Sequence, residues 1–485
     1  MAFESKGKLV FYAWLAVLSS AALVYFGGGL FPWWPLMWIA PAPALLFAAR
    51  ASWKSSAVVA FTAWLLGGLN LRHYFDSVLH MPTGVQLVIY GAPALLFAIA
   101  VLLFRGLLRR GAWWSALIAF PAAWVSFEYF TSLISPHGTG GNLAFSQLNF
   151  LTFLQIASVT GPWGMSFLLL LFPAALVVAL EARRTSGRRA WQVLGAGWGL
   201  IAIVLAYGAV RLSTPSPGER VKVALTASDE PEFVDVPEGA AADRLFQAYG
   251  ARVEELARRG TKVIALPEKL AVVVDSDHEK TDALFQSLAD RTKAVIVVGM
   301  VHVAPPLKYN RARVYAPNVA VKSYDKHHML PPFESDLEPG KSTTLLQEPS
   351  GTWGVEICKD MDFTGLSRQY ARAGVGLMLV PAWDFVADRF SHGHMAVMRA
   401  VEDGFSIVRA AKQGYLTVVD NRGRILAEER SDSAPFASLL AQVPVGHEKT
   451  VYSVLGDWFA WVCCCAFGFA VLRILRPRSQ SKHPL

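Results

Sequence analysis

Charged residues are scarce in this chain. Of its 485 residues, 17% are charged and 53% are hydrophobic, which excludes an ordinary water-soluble enzyme and indicates a membrane protein. The apolar residues are concentrated before about residue 212 and after about residue 455, whereas the stretch between them has the charges and turn residues of a soluble fold. We therefore expect a membrane part, a soluble part and a second membrane part, in that order.

Cysteine is also scarce. Three of the four cysteines stand side by side in the last apolar run, at Cys463, Cys464 and Cys465. The soluble stretch contains Cys358 alone, so no disulfide can form within it. Cys358 ends the β-prone run in GVEICKDMDF (354–363), beside Lys359 and Asp360. A thiol in such a place can ionise to the nucleophilic thiolate. The alternative is an inert cysteine that packs as a small hydrophobe.

Several cofactor signatures are absent. No glycine-rich phosphate loop precedes a helix, and neither HExxH nor CxxC occurs, which argues against nucleotide dependence and zinc. Four histidines keep a metal site open as an alternative: His327, His328, His392 and His394. Adjacent histidines cannot easily bind one ion, so we expect neither a metal nor another cofactor. The net charge of +8 does not indicate nucleic acid, because the arginines cluster in short loops between apolar runs.

The apolar runs predict eight membrane-spanning helices. A spanning helix needs about 20 mostly apolar residues. The candidates are residues 9–28, 30–49, 56–70, 84–104, 112–133, 152–180, 191–212 and 455–475.

The loop charges predict the orientation of these helices. Every second loop is basic: Lys6, Lys8, Arg50, Lys54, Arg105, Arg109, Arg110, Arg183, Arg184, Arg188, Arg189, Arg473, Arg476, Arg478 and Lys482. The alternate loops carry almost no basic residues, and Arg72 is the main exception. Because short cytoplasmic loops are enriched in Lys and Arg, both termini are predicted to be cytoplasmic and the soluble stretch to face outward.

Two of the alternate loops have unusual patterns. Residues 71–83 combine apolar and polar positions at helical spacing, which favours a helix in the membrane interface. Residues 136–147 are rich in glycine and small polar residues, which indicates irregular backbone. Glu128, in the fifth span, is either a functional intramembrane carboxylate or a hydrated one near the outer end. We favour the hydrated form.

The soluble stretch alternates strand and helix patterns. Strands are predicted at 221–227, 263–266, 294–303, 313–324, 345–358 and 375–380, helices at 240–259, 281–292, 365–373 and 394–402, and a hairpin at 405–428 that turns at 421–423. This order indicates an α/β domain with one large, partly antiparallel sheet.

Three polar residues each follow a predicted strand: Glu268, Lys326 and Cys358. Strand ends at one sheet edge lie side by side, so residues distant in sequence can meet there. Together they suffice for acyl transfer, since a carboxylate can accept the thiol proton, an ammonium can stabilise anions, and a thiolate can form an acyl intermediate. The alternative for Glu268 and Lys326 is that they are ordinary solvated charges.

The order Glu, Lys, Cys at three strand ends resembles the nitrilase superfamily, and the eight-span frame resembles one branch of it, the apolipoprotein N-acyltransferases. Four segments are similar to motifs of that family in the same order: SQLNFLTFLQIASVTGPWGMSFL (146–168), YDKHHMLPPFES (324–335), HMAVMRAVEDGFSIVRAAKQGYLTVVDNRGRI (394–425) and TVYSVLGDW (450–458). The resemblance extends along most of the chain.

The resemblance implies an α-helical membrane domain plus an α/β nitrilase-like α-β-β-α sandwich. Residues 1–213 would form a seven-helix transmembrane domain, 214–450 an extracytoplasmic catalytic domain, and 451–485 an eighth helix with a basic cytoplasmic tail. The implied reaction moves an acyl chain from a phospholipid, through a cysteine thioester, to the N-terminal amine of a diacylglyceryl-cysteine lipoprotein. The expected setting is the bacterial inner membrane, with a monomeric protein that uses no cofactor and no nucleic acid.

The resemblance also assigns roles to individual residues. Glu268 would be the general base, Lys326 the group that stabilises the oxyanion and the thiolate, and Cys358 the nucleophile. Glu334, which follows Lys326 in PPFES, would be an auxiliary carboxylate.

Three motifs depart from the family pattern. PFGE reads PPFE, CYE reads CKD, and PSNDAWFG reads PAWDFVAD (381–388), with Val386 where tryptophan is usual. Substrate contacts are expected from Lys359, Asp360, Trp383 and Asp384. Lys359 either points to solvent or faces the site, where its charge would lower the pKa of the thiol and attract a phosphate head group. These departures leave open a membrane-tethered nitrilase-type amidase that acts on an unknown amide, with water as the second nucleophile.

Overall fold

The protein consists of a helical bundle joined to an α/β half in this computed structural model, which describes residues 5–476. Arg478 and Lys482, two of the basic residues that predict the orientation, lie outside the described residues. The bundle comprises α1 (Lys6–Gly27), α2 (Trp34–Met37), α3 (Ala42–Arg50), α4 (Trp53–Gly68), α5 (Thr83–Arg109), α6 (Trp113–Ile134), α7 (Leu151–Leu154), α8 (Ala157–Thr160), α9 (Pro162–Ala182) and α10 (Gly187–Ser213), with the last helix of the chain, α17 (Trp458–Leu475).

Six helices in the described part of the chain are long and apolar enough to cross a membrane, rather than the predicted eight: α1, α5, α6, α9, α10 and α17. The predicted second span is divided into α2 and α3, because Pro35 and Pro41 lack a backbone N–H and begin new helices instead of continuing one. The third, α4, has 16 residues, although helical turns continue through Tyr74–Val78.

The α/β half contains the remaining helices and all thirteen strands of the described chain. The helices are α11 (Pro231–Val234), α12 (Gly239–Arg258), α13 (His278–Thr292), α14 (Thr364–Arg372), α15 (Arg389–Asp403) and α16 (Val451–Leu455). The strands are β1 (Arg220–Ala227), β2 (Val263–Ala265), β3 (Val272–Val274), β4 (Val295–Ala304), β5 (Leu307–Tyr315), β6 (Lys322–Asp325), β7 (Thr344–Glu348), β8 (Gly351–Val355), β9 (Val375–Trp383), β10 (Ser406–Lys412), β11 (Tyr415–Val419), β12 (Ile425–Arg430) and β13 (Ala437–Pro444).

These strands form two sheets, so the prediction of one large sheet is wrong. The first sheet has the order β13-β1-β2-β4-β5-β6, with β3 also beside β4, and the second has the order β12-β11-β10-β9-β8-β7. The two faces of β1 show what covers each side of the first sheet, because successive side chains of a strand point to opposite faces. Val223 and Leu225 belong to the core shared with the second sheet, whereas Ala224 packs with residues of α12 on the other face. The α-β-β-α sandwich is confirmed.

Three predicted strand segments contain turns that the sequence prediction missed. Residues 313–324 are divided between β5 and β6 at a turn where Asn318 has φ +58°. Residues 345–358 form β7 and β8, and the predicted hairpin at 405–428 is the three-strand meander β10-β11-β12, with Gln413 at φ +52° in its first turn. Two of these turns carry turn residues that the strand assignment passed over, QEPSG (347–351) and KQG (412–414).

Residues 135–142, named here the junction loop, follow α6 in the bundle and contact the α/β half through hydrogen bonds. Thr139 donates from its backbone N at 3.0 Å and from its Oγ1 at 2.8 Å to the carbonyl oxygen of Asp362. Glu128 supports the following residues, because its Oε1 accepts hydrogen bonds from the backbone N of Leu143 at 2.6 Å and from Trp124. Glu128 is buried, so the hydrated carboxylate predicted at this position is wrong. The predicted irregular backbone is confirmed.

Two glycines of the junction loop provide a matched test of this contact. A Cβ at Gly138 (φ +51°) would lie 2.6 Å from the carbonyl oxygen of Asp362, whereas a Cβ at Gly141 (φ +83°) would meet no heavy atom within 4 Å. Both alanine variants incur the backbone cost of a left-handed residue, about 1–3 kcal/mol, and Gly138→Ala adds the collision. We expect Gly138→Ala to lower the apparent melting midpoint in detergent more than Gly141→Ala. Equal shifts of the melting midpoint in the two variants would contradict close packing of Gly138 against Asp362.

Candidate active site

The three strand-end residues are contributed by both sheets. Glu268 follows β2 and Lys326 follows β6 in the first sheet, whereas Cys358 follows β8 in the second. The sequence prediction placed all three at one sheet edge, but the thiol comes from the facing sheet. Glu268 donates from its backbone N to the carbonyl oxygen of Ala382 at 3.3 Å, and Cys358 Sγ donates to the carbonyl oxygen of the next residue, Trp383, at 3.5 Å. Since Lys326 also contacts Glu268, the three groups share one site.

Lys326 is held by two carboxylates. Its Nζ lies 2.8 Å from Glu268 Oε1 and 2.8 Å from Glu334 Oε2, and all three side chains are buried. Burial acts to lower the pKa of Lys326, yet Glu268 and Glu334 outweigh it and hold that pKa well above its ordinary value. Burial likewise acts to raise the pKa of Glu334, but Lys326 and Lys269 lower it to about 2. Both groups are therefore charged at neutral pH.

Two further residues of this network were missed in the sequence. Asn310 Nδ2 donates to Glu268 Oε1 at 2.6 Å and to Glu334 Oε1 at 2.8 Å, and Lys269 Nζ donates to Glu334 Oε1 at 2.7 Å. Asn310 lies on β5, part of which the sequence analysis did not assign, although a buried asparagine inside a strand is itself a signal. Among the described residues, no hydrogen bond reaches Glu268 Oε2, so this oxygen is available to accept a proton.

Cys358 begins the turn of 3₁₀ helix Cys358–Asp362, named here the nucleophile turn. Its backbone has φ +43°, which is rare for a residue with a side chain and marks a strained position. Sγ donates to the carbonyl oxygen of Trp383 at 3.5 Å. Burial and then Glu268 raise the pKa of the thiol well above its ordinary value, against the opposing charges of Lys326 and Arg409. The charges of Lys359 and Cys358 also interact, but the net shift is upward, so the resting group is a neutral thiol.

Asp360 connects the nucleophile turn to the strand end that carries Lys326. Its Oδ1 accepts from the backbone N of His328 at 2.9 Å and of His327 at 3.1 Å, and its Oδ2 accepts from the Tyr324 hydroxyl at 2.7 Å. Asp360 is fully buried. Asp360 was predicted to contact the substrate. In the structure, its carboxylate holds the nucleophile turn against the strand end that carries Lys326.

Asp384 and Trp383 lie on the other side of the thiol. Both carboxylate oxygens of Asp384 accept from Arg409, at 2.5 and 2.8 Å, and both side chains are buried. The backbone carbonyl of Trp383 accepts the hydrogen bond from Cys358 Sγ. The indole N–H of Trp383 donates to Gln413, and its ring lies beneath the ammonium of Lys412. Asp384 thus fixes Arg409 near the thiol.

Lys359 does not point to solvent, which was one of its two predicted orientations. It is 5% exposed, and its Nζ donates to Nδ1 of His137, in the junction loop, at 2.8 Å. Burial and then the charge of Lys359 lower the pKa of His137 to about 4, so the imidazole is neutral and accepts this bond. The residue after Cys358 therefore contacts the half of the molecule that contains the helical bundle.

A small cavity adjoins the thiol. It has a volume of about 10 Å³, which is room for about one water molecule. Its lining residues are Cys358, Lys359, Met361, Asp362, His392, Ala396 and Arg409. Tyr74, from the bundle, donates to Asp388, and Asp388 lies 3.2 Å from His392, so one wall of the cavity is fixed by the membrane half as well.

The four histidines considered as metal ligands are dispersed. His327 stacks on Tyr324, His328 Nδ1 lies 3.0 Å from Asp360, and His394 stacks on Phe390. Within residues 5–476, no group of three or more His, Cys, Asp or Glu side chains has the arrangement of a metal site.

Comparison with known proteins identifies the family. Two family models match the chain, the apolipoprotein N-acyltransferase N-terminal domain over residues 15–176 and the carbon-nitrogen hydrolase domain over residues 237–435. The apolipoprotein N-acyltransferase of Geobacter metallireducens is 29% identical over 93% of this chain and 92% of its own length. The chain belongs to the apolipoprotein N-acyltransferase family. The relative from Haemophilus influenzae is 24% identical over 92% of each chain.

Family membership covers both halves of the molecule. The N-terminal model matches most of the bundle and the carbon-nitrogen hydrolase model matches most of the α/β half, so the apolipoprotein N-acyltransferase family accounts for the combination of spanning helices with a nitrilase-type sandwich. The protein is thus a bacterial membrane protein of an acyltransferase family.

A solved amidase from Nesterenkonia sp. is 17% identical, covering 51% of this chain and 97% of its own, with a TM-score of 0.42.

The opposing charges on Cys358 give a test of the site. Glu268 raises the pKa of the thiol and Lys326 lowers it. Glu268→Gln should therefore increase alkylation of Cys358 by iodoacetamide at pH 8, and Lys326→Met should decrease it, because a thiol pKa lower by one unit gives about tenfold more thiolate. The rate is followed on the Cys358 peptide by mass spectrometry.

Glu279→Gln, at an exposed position on α13, removes the same charge as a matched control and should alkylate at the wild-type rate. Slower alkylation of Glu268→Gln than of the wild type would mean that Glu268 does not oppose ionisation of the thiol.

Proposed function

We propose that the protein transfers an acyl chain from a membrane phospholipid to the N-terminal amine of a diacylglyceryl-cysteine lipoprotein. Glu268 is the general base, Lys326 stabilises the anions, Cys358 is the nucleophile and Glu334 holds Lys326. The observation that carries the proposal is the buried Glu268–Lys326–Glu334 network, whose charges act on one strained cysteine at the junction with a membrane bundle. A thiol at this junction can meet a lipid ester.

In the first step, Glu268 takes the proton of the Cys358 thiol while Sγ attacks the carbonyl carbon of the phospholipid ester. The tetrahedral oxyanion forms beside the ammonium of Lys326. The ester C–O bond then breaks, and the leaving glycerol oxygen takes the proton from Glu268. A thioester on Cys358 and a lysophospholipid are the products.

In the second step, the neutral amine of the acceptor attacks the thioester carbonyl. Glu268 accepts a proton from the amine, the C–S bond breaks, and the proton returns to the leaving thiolate. The products are an amide and the original thiol. Water in place of the amine would give hydrolysis, which is the amidase alternative.

The same proposal includes the organisation of the chain. Residues 1–213 act as the transmembrane domain, 214–450 as the extracytoplasmic catalytic domain and 451–485 as the last span with a cytoplasmic tail, in a monomer of the inner membrane. The supporting observation is the basic character of the loops at one end of the bundle, around Arg109 and Arg189. This end is opposite the α/β half, which follows α10.

Intact mass tests the reaction. Purified protein incubated with phospholipid should gain the mass of one acyl chain, and a diacylglyceryl-cysteine lipopeptide should then remove it and gain the same mass. Cys358→Ala and Cys358→Ser should remain unmodified, because neither provides a comparably acidic, polarisable nucleophile. Loss of the acyl group at the same rate without the lipopeptide would favour the amidase. Transfer by Cys358→Ala would contradict the covalent route.

Reporter fusions test the orientation. A periplasm-active reporter fused after Leu212 should be active, and a cytoplasm-active reporter fused after Arg478 should be active as well, since basic loops remain cytoplasmic. The reverse pattern would place the α/β half in the cytoplasm, away from exported lipoproteins.

A further inference from the structure

The cavity beside the thiol is lined by three basic side chains, Lys359, His392 and Arg409. Arg409 is compensated by both oxygens of Asp384. Burial acts to lower the pKa of His392, yet Asp388, 3.2 Å away, outweighs it and raises the pKa to about 9. The charges of Arg409 and His392 are therefore each balanced by a close carboxylate.

Lys359 is balanced less closely. Its Nζ is 3.9 Å from Asp362, the nearest carboxylate among the described residues, and its hydrogen-bond partner at 2.8 Å is the neutral imidazole of His137. Its side chain is 4% exposed, so little water reaches it. A buried ammonium whose counter-charge is not in hydrogen-bond contact is costly, and a bound anion would offset that cost.

The reaction itself offers one anion of suitable chemistry. A glycerophospholipid donor carries a phosphodiester close to its ester carbonyls, whereas the diacylglyceryl-cysteine acceptor carries no phosphate and presents an amine, which a cation repels when it is protonated and does not attract when it is neutral. Lys359 directly follows Cys358, and its ammonium points toward the junction loop at the end of α6. It therefore lies between the nucleophile and the part of the molecule where a membrane lipid would enter.

We propose that Lys359 binds the phosphodiester of the acyl donor while the ester carbonyl of the same lipid faces Cys358. His137 holds the ammonium in place as a neutral acceptor. This inference rests on the proposed function and extends it, because it makes the phosphate, rather than any particular head group, the feature by which the donor is selected.

Paired donors test the assignment. The rate constants of Cys358 acylation are measured by intact mass with phosphatidylglycerol and with diacylglycerol of identical chains. A hydrogen bond to a charged group predicts that the wild type prefers the phospholipid by about 10- to 100-fold. Lys359→Met should lose most of that preference, and Lys359→Arg should keep part of it. Lys262→Met, at an exposed position at the start of β2, removes the same charge and should keep the wild-type preference.

The outcomes separate the two proposals. Equal losses of Lys359→Met on both donors, or no loss on either, would overturn the phosphate site while leaving the acyltransferase intact. A wild type that is not acylated by phospholipid would overturn the proposed function. Inorganic phosphate, added at constant ionic strength, should change the wild-type rate by less than twofold. Stronger inhibition that is absent in Lys359→Met would assign the site to free phosphate and overturn its assignment to the lipid.

Discussion

The ammonium of Lys326, buried between Glu268 and Glu334, is the interaction on which the site depends. Removing one partner of a buried ion pair leaves an uncompensated charge and typically costs about 3–5 kcal/mol. Here two carboxylates face two ammonium groups, since Lys269 also donates to Glu334. Moving a proton from Cys358 to Glu268 leaves the total charge unchanged. The proposed first step therefore shifts a negative charge from one buried group to another without creating a new one.

The position of Cys358 depends on contacts from both halves of the molecule. Asp360 ties the nucleophile turn to the strand end of Lys326, while the carbonyl of Asp362 accepts two hydrogen bonds from Thr139 of the junction loop. Cys358 and Asp362 are the two ends of one turn of 3₁₀ helix, so the contact at Asp362 also restrains the backbone of Cys358. The site is consequently specific to the joined molecule, and the sandwich alone supplies only part of its support.

The sequence predicts the polar residues at strand ends more accurately than it predicts the bounds of the strands. Glu268, Lys326 and Cys358 each interrupt an apolar run with a polar group, and Glu334 follows from motif spacing, so they could be selected before the structure was known. Asn310, His137 and Tyr74 could not, because their partners are 24 to 314 positions away along the chain. The second predicted span is divided into two helices for a local reason, since hydropathy does not register that prolines interrupt a helix.

The raised pKa of Cys358 bears on where the α/β half is proposed to lie. An unpaired cysteine outside the cytoplasm meets an oxidising environment, and its susceptibility follows its thiolate character and exposure. Cys358 is only half-buried, but desolvation and Glu268 keep the resting group protonated, and the adjoining cavity has a volume of about 10 Å³. In the proposed mechanism, the residue that keeps the thiol protonated is thus also the base that removes its proton. Storage and activation of the proposed nucleophile would then both depend on Glu268, because its charge opposes ionisation until it accepts the proton itself.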